Sequence, residues 1–232
     1  KLILLILVLI ILSIDVSHNL TLGWDGQKVW ILKALNFHQG FGIKNLENII
    51  YTDYPYFGSY IWAFFWKLSI MDQEHYGRII YILIYCLSIF SLSDLIRFNK
   101  FYKIIFSLLV VSLSYNYSFF NGYQDILLFS FVIFAAKYSY EIIVEKNSNL
   151  INIILSLLIL NCILWIKNEG IFISLFLILT ILFFSKYKLR EKMIFVSIYL
   201  FFLLLRLLVF KIYDFELALS ACCVYKLSIL DI

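Results

Sequence analysis

Long apolar blocks alternate with short polar breaks along this chain. The blocks cover residues 2–14, 57–70, 79–96, 104–120, 126–140, 151–166, 171–185 and 194–210. Several approach the ~20 apolar residues that carry an α-helix across a bilayer. The pattern predicts an all-α fold, a polytopic transmembrane helical bundle. No tandem repeat and no Gly/Ser-rich linker divides it, so residues 1–232 read as a single transmembrane domain. The block at 2–14 has the length of a signal-peptide core. No small-residue cleavage site of the A-x-A kind follows it, so it reads as a retained first membrane helix.

The longest polar stretch, residues 15–56, is not low-complexity. Trp30, Ile31, Ala34 and Leu35 recur at helical spacing with Lys28 and Lys33 among them. That predicts an amphipathic helix lying on the membrane surface. Asp25 and Gly26 stand before it, where an Asp can cap the helix. A second short helix is expected near residues 45–51. Asp53-Tyr54-Pro55 then breaks the chain, because a residue before Pro avoids helical angles. The prediction is a long outer first loop carrying juxtamembrane amphipathic helices.

Composition sharpens this picture. Hydrophobic residues make up 63% of the chain and charged ones 15%, against roughly 45–50% and about 25% in soluble domains. Mean hydropathy is +0.94. An ordinary soluble domain and a disordered chain are both excluded. The net charge of +4 includes no basic stripe clear of the apolar blocks, so nucleic acid is not an expected partner. Cys86, Cys162, Cys222 and Cys223 contain no CxxC pair. Cys86 and Cys162 sit in apolar blocks as small hydrophobes, and neither a disulfide framework nor a zinc site is expected. The chain opens on Lys1 and ends at Ile232 without a polar tail. The expectation from these ends is a fragment or a trimmed gene product.

Charge placement predicts topology through the excess of Lys and Arg in cytoplasmic loops. Suppose the short block 57–70, rich in Trp and Phe and carrying Lys67, does not cross. Then Arg97, Lys100 and Lys103, next Lys137 and Lys146, and finally Lys186, Lys188, Arg190 and Lys192 all fall inside. If it crosses, all of them fall outside. The first arrangement is preferred, with 57–70 an interfacial or re-entrant helix. Residues 15–78, 121–125 and 167–170 then share the outer face, which collects the unusual polar groups on one side.

Each of those groups has a chemical and a plainer reading. Asp25 is placed to take a proton from an incoming hydroxyl as general base, or simply to cap a helix. Asp125 is a candidate acceptor or metal ligand, or again a cap. Lys167 can hold a phosphate as a point charge, or snorkel from a tight outer turn. Glu169 is its partner, a metal ligand or a turn carboxylate. Asp53 points into the same site or shapes its turn. Arg206 is a second candidate phosphate ligand, with snorkelling the plainer reading. His18, His38 and His75 form no metal motif, and no P-loop, GxGxxG or GxSxG is present.

Four segments resemble the GT-C superfamily of membrane glycosyltransferases, in particular bacterial relatives of the dolichyl-phosphate-mannose protein mannosyltransferase and aminoarabinose transferase group. Trp24-Asp25-Gly26 through Trp30-Ile31-Leu32-Lys33-Ala34 is similar to the family's acidic motif after the first helix. Asp53-Tyr54-Pro55-Tyr56 through Trp66-Lys67 resembles its Tyr/His-Pro-Pro-Leu segment, with Tyr56 where the second Pro usually stands. Gly122-Tyr123-Gln124-Asp125 is similar to a Gly-Tyr-x-Asp in the second outer loop, and Lys167-Asn168-Glu169-Gly170 to a turn of the bacterial members. The resemblance covers residues 1–210 of a family about twice this length, and implies that the chain is the N-terminal part of a longer module.

The resemblance implies an integral membrane glycosyltransferase of the bacterial cell envelope, in the inner (plasma) membrane with its site facing the periplasm or outside. The donor would be a polyprenyl-phosphate-linked sugar, a membrane lipid, and the acceptor is not specified. Asp25 would be the base for inverting attack at the anomeric carbon. Asp53, Tyr54 and Asp125 would meet the substrate or acceptor. Lys167 and Arg206 would meet the lipid phosphate. A divalent cation, magnesium or manganese, would fall to Asp125 and Glu169. The alternative is a flippase or transporter for a lipid-linked saccharide.

Overall fold

Every apolar block becomes a helix in the computed structural model, which describes residues 2–18, 20–49, 51–96, 99–116, 120–144, 150–215, 217–220 and 223–225. In order these are α1 (Leu2–His18), α3 (Phe57–Lys67), α4 (Glu74–Leu92), α5 (Lys100–Ser114), α6 (Asp125–Ile143), α7 (Leu150–Ile166), α8 (Gly170–Phe184) and α9 (Leu189–Ile212). α2 (Ile31–His38) occupies the long loop after α1, entered through a π-helical turn, Gly26–Trp30. A 3₁₀ turn at Ile43–Asn48 stands where a helix at 45–51 was expected. A short antiparallel pair, β1 (Leu217–Ser220) and β2 (Cys223–Tyr225), follows α9 and adds a small strand element to the expected all-α fold. Lys1, Arg97, Lys146 and Cys222, on which parts of the sequence reading rest, lie outside the described residues.

Among the described residues, three helical stretches are long and apolar enough to cross a membrane, Glu74–Leu95, Asp125–Ile143 and Leu189–Ile212. Leu2–His18, Ile151–Ile166 and Gly170–Phe184 are shorter apolar helices. Outward faces are apolar too: Ile3 of α1, Leu113 of α5 and Phe183 of α8 are each at least 75% exposed. Apolar surface on this scale marks a face that meets something other than water.

α4 is the hub of the first half. Its buried Tyr81, Ile82, Tyr85, Cys86 and Ile89 pack among Val8, Leu12 and Val16 of α1 and Ile126 and Leu127 of α6. The second half closes around α6 to α9, where Ala135, Leu160, Leu164, Ile178, Ile181, Phe195 and Tyr199 share a core. α3 joins the first cluster by burying Trp62 and Ala63. With 11 residues it rises about 16 Å at ~1.5 Å per residue, roughly half the hydrocarbon thickness of ~30 Å. Such a helix does not cross a bilayer alone. Trp62 Nε1 donates to the Glu74 carbonyl at 3.0 Å, tying the start of α4 to α3.

Arg78 fastens the same end. Buried at 1% exposure, its guanidinium donates to both carboxylate oxygens of Glu74 and to the carbonyls of Leu20 and Phe120. The exit of α1, the start of α4 and the entry to α6 are thereby held together.

Candidate functional site

The four segments singled out by the sequence meet at one end of the bundle. The first contact is backbone to backbone. The Gly23 N–H donates to the Asn121 carbonyl at 2.9 Å. Gly26 lies so close to this loop that a Cβ there would stand 2.5 Å from the Asn121 carbonyl oxygen. Gly122 faces it with φ of +86°, a left-handed angle that glycine adopts without steric cost. This clasp sets the Asp25 turn beside the loop that leads to Asp125. The π turn follows Asp25 directly, and such turns re-aim a helix face and recur at functional sites. Asp25 makes no side-chain capping bond, so the cap reading fails for it. Asp125 does not cap either: Gln124 holds the cap position and Asp125 is the first residue of α6.

The second contact is ionic. Lys167, in the turn between α7 and α8, reaches Asp125 with Nζ 2.8 Å from Oδ1. Lys167 is 12% exposed and Asp125 45%. Burial alone lowers a lysine pKa. Here the hydrogen bond and charge of Asp125, joined by the charges of Glu169 and Asp25, outweigh burial and hold Lys167 above its ordinary value. Lys167 therefore stays an ammonium, and it senses three carboxylates from three separate segments.

The Asp53-Tyr54 turn is held from two sides. Lys33 donates from Nζ to the Tyr54 carbonyl, and Asn168 Nδ2 donates to the Asp53 carbonyl at 3.1 Å. Asn168 is itself held by Arg206, whose guanidinium also donates to the Leu164 carbonyl. Burial, then the nearby carboxylates of Asp53, Glu169 and Asp25, push the Tyr54 phenol upward, against the opposing pull of Lys167. The phenol thus keeps its proton and offers a hydrogen-bond donor beside this cluster.

Two basic residues sit differently from the sequence reading. Lys33 was expected in an amphipathic helix lying on the membrane surface. It is 1% exposed, on the packed face with Trp30 and Ala34. Burial brings its pKa down to about 7, with Asp53 pulling the other way. The available signal was its position three residues after Trp30, on the same side of the helix. Arg206 does not snorkel. It is fully buried, and its terminal nitrogens are taken up by Leu164 and Asn168, so it braces the turn rather than presenting itself on an open surface.

Asp25, Asp53, Tyr54, Asp125, Lys167 and Glu169 are thus gathered at one end, with Arg206 beneath them. Among the described residues, no three His, Cys, Asp or Glu side chains form a group able to hold a metal ion. No protein-family model matches the chain, and no curated protein or solved structure matches it.

Proposed function

We propose that the chain is the core of an integral membrane glycosyltransferase that moves a sugar from a polyprenyl-phosphate donor to an acceptor at the outer face of a bacterial inner membrane. The observation that carries this reading is the Lys167–Asp125 ion pair, with Asp25, Glu169 and the Asp53-Tyr54 turn around it. A transfer of this class needs a base for the acceptor hydroxyl, a cation for the departing phosphate and groups that orient both. Asp25 serves as the base. It takes the acceptor proton as the acceptor oxygen bonds to the anomeric carbon and the bond from that carbon to the lipid-phosphate oxygen breaks. An ammonium has three N–H donors. Asp125 takes one on Lys167, and the others face the leaving phosphate. Asp125 and Asp53 orient the acceptor, and Tyr54 donates a hydrogen bond. Asp125 and Glu169 are two carboxylates, and among the described residues no third ligand completes a metal group with them, so a magnesium or manganese ion would need phosphate oxygens of the donor beside them and would supply charge at the departing phosphate.

The test is made in cells carrying the full gene as wild type or Asp25→Asn, with mass spectrometry of the membrane lipids. One polyprenyl-phospho-sugar should accumulate in the variant, and its mass names the sugar class. Unchanged lipids, with the variant protein present at wild-type level, reject Asp25 as the base. Lipid movement between leaflets without glycosidic bond formation supports the flippase instead.

A further inference from the structure

α5 and α6 both pack on α4, and among the described residues they barely touch each other. The gap between the last turn of α5 and the first turn of α6 is a cavity of about 500 Å³. Leu113, Ile126 and Phe129 make one wall apolar. Leu113 and Phe129 are 78% and 41% exposed, so that wall continues onto the outside of the bundle. Tyr115, Asn116 and Asp125 edge the cavity with polar groups. Asp125 belongs to this cavity and to the polar cluster at once.

The wall chemistry selects the ligand. A carboxylate offers about four lone-pair sites, and Lys167 takes one of them at Oδ1. The remainder accept hydroxyl protons. Lys167 stands behind Asp125 and is much the less exposed of the two. A phosphate entering by this gap therefore meets the carboxylate first, and like charges repel. Hydroxyl groups carry no such cost. The apolar wall leading outward between two helices suits a hydrocarbon tail rather than a water-borne molecule.

We infer that the α5–α6 gap binds the saccharide head of a membrane glycolipid, with sugar hydroxyls on Asp125 and the lipid tail along Leu113 and Phe129. This deepens the transferase reading, and rests on it, in making that glycolipid the acceptor, distinct from the donor whose phosphate belongs to Lys167. Binding itself does not depend on turnover.

The test uses the full chain in detergent micelles and an alkyl lactoside carrying a diazirine in its alkyl chain. After illumination, peptide mass spectrometry should place the label within residues 110–116 and 126–130. An unlabelled alkyl lactoside should compete, and phosphatidylglycerol at the same concentration should not. Asp125→Asn, and separately Leu113→Trp with Phe129→Trp to fill the gap, should each cut labelling at least fivefold when compared at equal amounts of folded protein. Asp25→Asn should leave labelling intact. A label spread evenly over the bundle, or one displaced equally by phosphatidylglycerol, overturns the site. The two readings separate cleanly. Labelling as expected with Asp25→Asn still transferring sugar keeps the gap and removes Asp25 as the base. Lost transfer with labelling elsewhere does the reverse.

Discussion

With its pKa brought down to about 7 by burial, the Lys33 ammonium is near its midpoint at neutral pH. An unfolded lysine titrates at 10.5. Between these values the unfolded chain binds a proton that the folded chain has shed, so stability rises with pH across the window. Below pH 7 both states are protonated and the dependence from this group ends. Wild type should therefore gain melting temperature in detergent from pH 7 to pH 10, relative to a Lys33→Met variant that lacks the group. Parallel curves for the two proteins would reject the burial of Lys33. Neither this lysine nor Arg206 was legible as an inward residue. Hydropathy patterns weigh a charge by its kind, and only packing tells which way it faces. Asp125 and Lys167 were legible because they stand at the ends of apolar blocks, where a charge is conspicuous, and Asp25 because it precedes the amphipathic stretch around Trp30.

At the scale of elements, the helices themselves were plain in the sequence, since continuous apolar blocks have few other ways to satisfy their backbone groups. α2 was legible as a helix but not as a packed one, because an amphipathic face suits a membrane surface and a protein neighbour equally. The clasp between the Asp25 turn and the loop before α6 was not legible, since isolated glycines carry no record of what they approach. It makes a sharp prediction. Gly26→Ala drives a Cβ toward a backbone oxygen that has no rotamer to escape into. The expected cost is about 1–3 kcal/mol, the range for overpacked sites, and under the proposed function sugar transfer should fall by more than the loss of folded protein. Gly42→Ala, where nothing lies within 4 Å of the new atom, should leave both unchanged. Thermal unfolding and transfer assays on the pair of variants check this directly.

At the scale of the whole molecule, the common end shared by Asp25, Asp125 and Lys167 predicts common access. Asp25→Cys, Asp125→Cys and Lys167→Cys, each in a chain whose native cysteines are replaced by serine, should all react with an impermeant thiol reagent applied from outside the cell. Opposite labelling of positions 25 and 167 would overturn both the topology and the shared site. The counting of basic loops gives that sidedness as an expectation; what it lacks is any link between α9 and the first loop. Arg206 is that link, holding Asn168, which holds the Asp53 turn. The consequence concerns timing during synthesis. Asp25 and Asp53 leave the ribosome early, yet the turn that carries Asp53 is not fully braced until residue 206 has been made and α9 has been inserted. The cluster is a late product of biogenesis, and a chain halted before α9 holds Asp25 and Asp53 without the frame that aligns them.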